Sequence, residues 1–175
     1  MSVSSLPPDL TATIACERPQ DGARVQALVE RAFGPGRFAK AAERLREGNR
    51  PILDMSFVAW AQGEAVGCVR MWPITIGQAP AILLGPFAVD DAWRSQGLGG
   101  ALVKHACEAA LARGCGLVLL VGDEPFFRKF GFQAAPAGQI VMPGPADAGR
   151  VLWRRLSGDL SPPTGAVRVV PRATI

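Results

Sequence analysis

Arg94-Ser95-Gln96-Gly97-Leu98-Gly99-Gly100, entered from the apolar segment Leu83 to Val89 and followed by a proline-free run of Ala and Leu, decides the reading of this chain. Glycines at 97, 99 and 100 let the backbone approach an anion closely, and the first N–H groups of a new helix point at it with the positive end of the helix dipole. Arg94 adds a fixed cation at the mouth of the turn, so Ser95, Gln96, Gly97, Leu98, Gly99 and Gly100 form a candidate pyrophosphate cradle. Glycines at a strand-to-helix turn also serve tight packing, and the local sequence does not choose between the two. Two other phosphate motifs are excluded. A dinucleotide fingerprint wants glycine where Leu102 stands, and a Walker loop wants Gly-Lys-Ser/Thr where the chain has Gly100-Ala101-Leu102.

The spacing R-x-x-G-x-G of Arg94, Gly97 and Gly99 resembles the acyl-CoA signature of the GNAT N-acetyltransferase superfamily. Leu84 to Asp90 resembles that family's fourth strand, Gly116 to Val121 its fifth, and Phe126 to Phe132 its short helix ending in Gly-Phe. The likeness runs from about Thr11 to Phe132. Leu83 to Pro86, Val121 to Asp123 and Met142 to Pro145 most resemble the bacterial YhbS-like branch. The resemblance implies an α/β fold: one domain over residues 11–175, a mixed central sheet with splayed parallel strands 4 and 5, and flanking helices. Residues 1–10 read as a loose tail.

The composition accords with this. A chain of 175 residues, 49% hydrophobic, can bury a core without disulfides. No stretch approaches the ~18 apolar residues of a membrane span, and Met1 to Asp9 lacks the basic and apolar regions of a secretory signal, so no membrane partner is expected. Cys16, Cys68, Cys107 and Cys115 form no C-x-x-C pair and sit in apolar or helical patterns, as thiols do in a reducing cytoplasm. With His105 the single histidine, no metal site is expected, and its place on the helix face reads as structural or surface. The net charge of +4 and a pI near 9.2 come from scattered arginines, not a basic stripe with aromatics, so nucleic acid is not expected either.

Periodicity gives the elements. Thr11 to Cys16 alternates as a strand; Val25, Leu28, Val29, Ala32 and Phe33 make a helical stripe ended by Gly34-Pro35-Gly36; Phe38, Ala41, Ala42 and Leu45 form a second, stopping at Gly48. Phe57 to Ala61 and Ala65 to Trp72 read as a hairpin, and Ala81 to Val89 as the next strand. Leu98 to Arg113 reads as a long helix and Leu117 to Val121 as a buried strand parallel to Ala81 to Val89. Pro125 suits the start of a short helix. Beyond Phe132 the prolines leave a helix at Ala146 to Leu156 and a strand at Ala166 to Val170.

The resemblance implies acetyl-CoA, or another acyl-CoA, as donor, with main-chain groups of Phe87, Ala88 and Val89 facing the pantetheine arm, and Phe127 and Arg128 near the donor, Arg128 with Lys129 toward its 3′-phosphate. Many relatives carry a tyrosine at the position of Phe127, where it protonates the departing thiolate; this chain has no tyrosine. Asp123 reads first as a cap for the following helix, for which Glu124 competes, and second as the candidate base for the acceptor amine; Asp54 is more distant. Phe33, Arg37 and Trp72, with Phe38 and Met71, are candidate acceptor-lining residues, and Arg37 could clamp a carboxylate. The expected acceptor is a small-molecule or protein amine, with a homodimer left open. A binding module that keeps the CoA cleft without turnover is the alternative, and Phe127 sustains it.

Overall fold

The computed structural model describes residues 11–34, 41–159 and 161–170. The 1–10 tail, Arg37 and Phe38 lie outside the described residues. In chain order the elements are β1 (Thr13–Cys16), α1 (Gly22–Phe33), α2 (Ala41–Arg44), β2 (Phe57–Ala61), β3 (Glu64–Ile76), β4 (Ala79–Val89), α3 (Leu98–Ala112), β5 (Leu117–Val121), α4 (Glu124–Arg128), β6 (Gln133–Ala134), β7 (Ile140–Val141), β8 (Val151–Arg155) and β9 (Gly165–Val169). The sheet runs β1-β2-β3-β4-β5-β8-β6, with β9 joining the far end of β3 and pairing β7.

Strands β1 to β4 are antiparallel neighbours, while β4 and β5 are parallel and joined through α3. Both faces of the sheet are covered, which is why the central strands read as continuous apolar runs. Alternate residues separate cleanly. Ile82, Leu84, Val118 and Leu120 join the core under α3, where Leu102, Val103, Ala106 and Ala110 are buried. Ala81, Leu83, Leu117 and Leu119 face the other side with Trp72 and Trp153. Helix α1 lays Val25, Leu28 and Val29 on Val58, Cys68 and Ala88, the stripe read from its 3.6-residue period.

Three expectations need correction. The segment expected as a helix from Ala146 to Leu156 is a short 3-10 turn, Ala148–Arg150, followed by β8. Its Val151-Leu152-Trp153 core pairs antiparallel with all of β5, from Leu117↔Arg155 to Val121↔Val151, and burial between two layers outweighs the local helix pattern. Among the described residues the second helix spans Ala41–Arg44, short of the expected Leu45; the chain then turns, and the Asn49 side-chain amide donates to the carbonyls of Leu45 and Pro73 at 3.0 Å each. The hairpin strand expected to stop at Trp72 runs on through Pro73 to Ile76, because its far end gains β9 as a partner.

Among the described residues no helix is long and apolar enough to cross a membrane. All four cysteines are free thiols. Burial pushes the Cys68 thiol up to about 12, whereas Cys16 is exposed. Iodoacetamide at pH 8 is therefore expected to label Cys16 and to leave Cys68 unmodified until the protein unfolds, as peptide mass mapping would report.

Candidate active site

The site begins with an irregularity in β4. Met71 pairs with Leu84 and Val69 with Phe87, so Gly85 and Pro86 together stand opposite Arg70. Two residues against one is a β-bulge, and it bends β4 away from its next neighbour. Parallel pairing with β5 is confined to Ile82↔Val118 and Leu83↔Leu119. Beyond it, among the described residues, the edge of β4 from Leu84 to Val89 has no strand beside it, so alternate backbone N–H and C=O groups open into the gap. Glycine is required at the bulge: Gly85 sits at φ +137°, and a Cβ there would lie 2.7 Å from an Arg46 guanidinium nitrogen.

The gap continues into a cavity of about 1260 Å³, bounded by the Gly85–Val89 edge, the Arg94–Gly100 turn, the ends of β5 and α1, helix α4 and the loop before β8. It brings together Phe87, Ala88, Val89, Arg94, Ser95, Gly97, Gly99, Gly100, Asp123, Phe127 and Phe33. The side chains of other candidates turn elsewhere. Leu98 is 8% exposed and belongs to the core. Gln96 donates its amide to the Ala92 carbonyl at 3.0 Å. Arg128 is paired with Glu124 at 2.6 Å, and it is Lys129 that lines the cavity, its ammonium over the Phe126 ring. Trp72, 7% exposed, donates its indole N–H to the Gly85 carbonyl inside the fold, so it braces the bulge without reaching the cavity wall. Met71 is fully buried. His105 is exposed on α3, a ring nitrogen 2.7 Å from the Ala101 carbonyl. Asp54 is paired with Arg113.

The turn into α3 has backbone geometry that can accept an anion. Ser95 has φ +63° and Gly97 φ +81°, and this alternation aims successive backbone N–H groups to one side. Gly97 occupies the N-cap of α3 with no side chain capping the first N–H groups of the helix. Those donors face the cavity with the positive end of a fifteen-residue helix behind them. Arg94 is held at the rim by an ion pair to Asp91 at 3.1 Å. The glycines divide the work. A side chain at Gly97 would meet open space, so its need is the left-handed backbone. A Cβ at Gly99 would meet Phe87 at 3.0 Å and Phe126 at 3.4 Å, and one at Gly100 would meet Phe130 at 2.8 Å, so these two admit the aromatic wall.

That wall is a chain of phenylalanines. Phe126 lies 4.9 Å from Phe127 and 5.3 Å from Phe130, and Phe127 touches Phe87 and Phe132. Phe127 is 6% exposed, its ring filling the space a side chain at Gly122 would take. Asp123 stands at the N-cap of α4 but makes no side-chain cap hydrogen bond, so its carboxylate is exposed at the cavity with no capping duty. Sequence reasoning missed Arg46 and Arg150, which also line the cavity. Each arrives by a non-local route, Arg46 with the α2 turn against β4 and Arg150 on a segment misread as helix; no spacing in the sequence marks them. Among the described residues no group of three or more His, Cys, Asp or Glu could hold a metal ion.

Known proteins share this fold. The Acetyltransferase (GNAT) domain family matches residues 54–134. The chain is 30% identical over 158 residues to the Escherichia coli (strain K12) protein named as an uncharacterized N-acetyltransferase, YhbS, an alignment covering 88% of this chain and 93% of that one. The crystal structure of E. coli YhbS in complex with CoA superposes with a TM-score of 0.77 at 29% identity, covering 95% and 93% of the two chains. A GNAT family acetyltransferase of Brucella melitensis in complex with acetyl-CoA gives 0.69 at 27% identity, covering 91% and 96%. The bulged β4, its splay from β5 and the glycine turn into α3 are thus the frame of an established fold, and the chain belongs to the GNAT family of acetyltransferases.

Proposed function

We propose that this protein transfers an acetyl group from acetyl-CoA to a primary amine by direct attack on the thioester. The observation that carries the reading is the convergence, in one cavity, of an unpartnered β4 edge and an uncapped, positively charged helix entry. The turn at Ser95 to Gly100 suits the diphosphate and the Phe87–Val89 edge the amide-bearing arm, in keeping with the CoA and acetyl-CoA bound to the two relatives. About 1260 Å³ exceeds the ~1,000 Å³ upper range of single-ligand pockets, as two substrates side by side require.

In the transfer a neutral amine nitrogen forms a C–N bond to the thioester carbonyl, the C–S bond breaks, and CoA leaves with its sulfur taking up a proton. The donors left open on β4 are placed to meet charge developing on the carbonyl oxygen. Asp123 receives the proton of the acceptor: of the acidic side chains lining the cavity among the described residues, Asp147 is already occupied by the Gly149 N–H at 2.9 Å. Phe127 has no proton to give, so the thiolate leaves unaided, tolerable for a thiol of pKa about 8.5. A covalent route through Cys68, which pairs in register with Ala88, is disfavoured because burial holds its thiol protonated. The free thiols support a reducing, cytoplasmic setting.

Lys129 is the cation for the 3′-phosphate. Lys129→Ala is expected to weaken CoA about 3- to 10-fold and dephospho-CoA little, while Arg128→Ala, whose charge is engaged by Glu124, changes neither much; calorimetry with the two ligands checks this. A second reading, an acyl-CoA sensor without turnover, is favoured by Phe127 alone. Thiol release from acetyl-CoA with a panel of amines separates the two.

A further inference from the structure

Away from the Arg94–Gly100 turn, the cavity is lined by Arg46, Asp123, Asp147 and Arg150. Two of these charges are matched within the protein. Arg46 donates to Glu43 at 2.8 Å, and Asp147 caps its own turn by accepting from Gly149. Asp123 and Arg150 are left: among the described residues neither side chain has a hydrogen-bond or ion-pair partner, and they do not pair with each other. Yet they are neighbours by construction. Val121↔Val151 closes the β5–β8 ladder, and the Gly122 N–H donates to the Arg150 carbonyl at 2.9 Å, so Asp123 follows immediately on the next loop. The Arg150 loop is held in shape by its N–H bond to the Asp147 carbonyl at 2.9 Å.

A carboxylate and a guanidinium carried on adjoining loops of one cavity, both without a partner in the protein, are complementary to a small molecule carrying both an ammonium and a carboxylate. Acetyl transfer itself needs only the amine of the acceptor, which leaves the Arg150 guanidinium open to a second group of that molecule. Among the described residues, Val29 and Ala32 of α1 and Ala41 and Ala42 of α2 add small apolar side chains to the lining of the same cavity. We propose that the acceptor is a free amino acid with an apolar side chain, its amine at Asp123 and its carboxylate on the Arg150 guanidinium, an inference that rests on the acetyl-transfer reading above. Arg150 is then a specificity-determining residue.

The test does not depend on turnover. The CoA-loaded protein is titrated by calorimetry with N-acetyl-L-leucine, N-acetyl-L-methionine and N-acetyl-L-phenylalanine, and with the carboxamide of each. At least one acid is expected to bind about 10- to 100-fold more tightly than its carboxamide, the advantage of a charge-assisted pair, and Arg150→Gln is expected to erase that difference. Arg150→Lys, which keeps the charge without the fork, is expected to fall between. Acids and carboxamides that bind alike, or not at all, or an Arg150→Gln protein that loses both equally, would overturn the proposal while leaving acetyl transfer standing. Failure of CoA itself to bind would remove the acetyl-transfer reading, and this proposal with it.

Discussion

Replacing Gly99 by valine is expected to weaken CoA binding by about 100-fold or more, the loss of two charge-assisted hydrogen bonds. The cause is indirect. A Cβ at 99 would sit 3.0 Å from Phe87 and 3.4 Å from Phe126, and a branched side chain must displace one of those rings or push the first turn of α3 outward. Phe87 belongs to the open β4 edge and the first turn of α3 carries the N–H groups proposed to hold the diphosphate, so either movement separates the two surfaces that would grip one ligand. Overpacking at such a position costs about 1–3 kcal/mol of stability, well short of unfolding a domain of this size. Gly97→Val should be equally damaging to binding for a different reason, the φ of +81°, and Gly97→Asn, which tolerates that region, should retain most of it. Unchanged CoA affinity in a folded Gly99→Val protein would refute the two-sided grip.

Changing Asp123 to asparagine is expected to lower kcat by about 10²- to 10⁴-fold, the usual worth of a positioned general base, with little change in CoA affinity. The substitution is nearly isosteric and the carboxylate makes no cap hydrogen bond, so the fold of α4 loses nothing by it. An alkyl amine of pKa about 10.4 is only ~0.04% neutral at pH 7, so proton removal limits the supply of nucleophile. Raising the pH therefore replaces the base, and the deficit of the variant should shrink steadily toward pH 10. A deficit that is independent of pH would assign Asp123 a positional role only.

The donor half of the site was legible in the sequence because it is local. Arg94, Gly97 and Gly99 lie within six residues on a strand-turn-helix unit whose periods change from 2 to 3.6, and the structure places that unit as read. Gly99 and Gly100 were legible as necessary but not for their reason, since the rings of Phe87, Phe126 and Phe130 that fill their space come from β4 and α4. The acceptor half was largely hidden. Arg46 reaches the bulge of β4 from the α2 turn, and Arg150 depends on β8 pairing with β5, a contact spanning some thirty residues that no local pattern encodes. Val151 to Arg155 illustrates the failure directly: its helical spacing was overridden by burial against a strand. Trp72 has the character of a wall residue in the sequence, but its face of β3 points to the inner core.

Thiol release from acetyl-CoA as a function of pH decides whether this GNAT cleft, which has no phenol, acetylates an amine. Amine-dependent release of one thiol per N-acetyl product is expected, rising with pH as the acceptor loses its proton and without the decline near pH 10 that an ionising tyrosine acid would impose. With acetyl transfer proceeding in this way, Phe127→Tyr leaves the rate unchanged or raises it. Tight CoA binding with no thiol released by the native protein or by the Phe127→Tyr variant, whatever amine is offered, would contradict acetyl transfer.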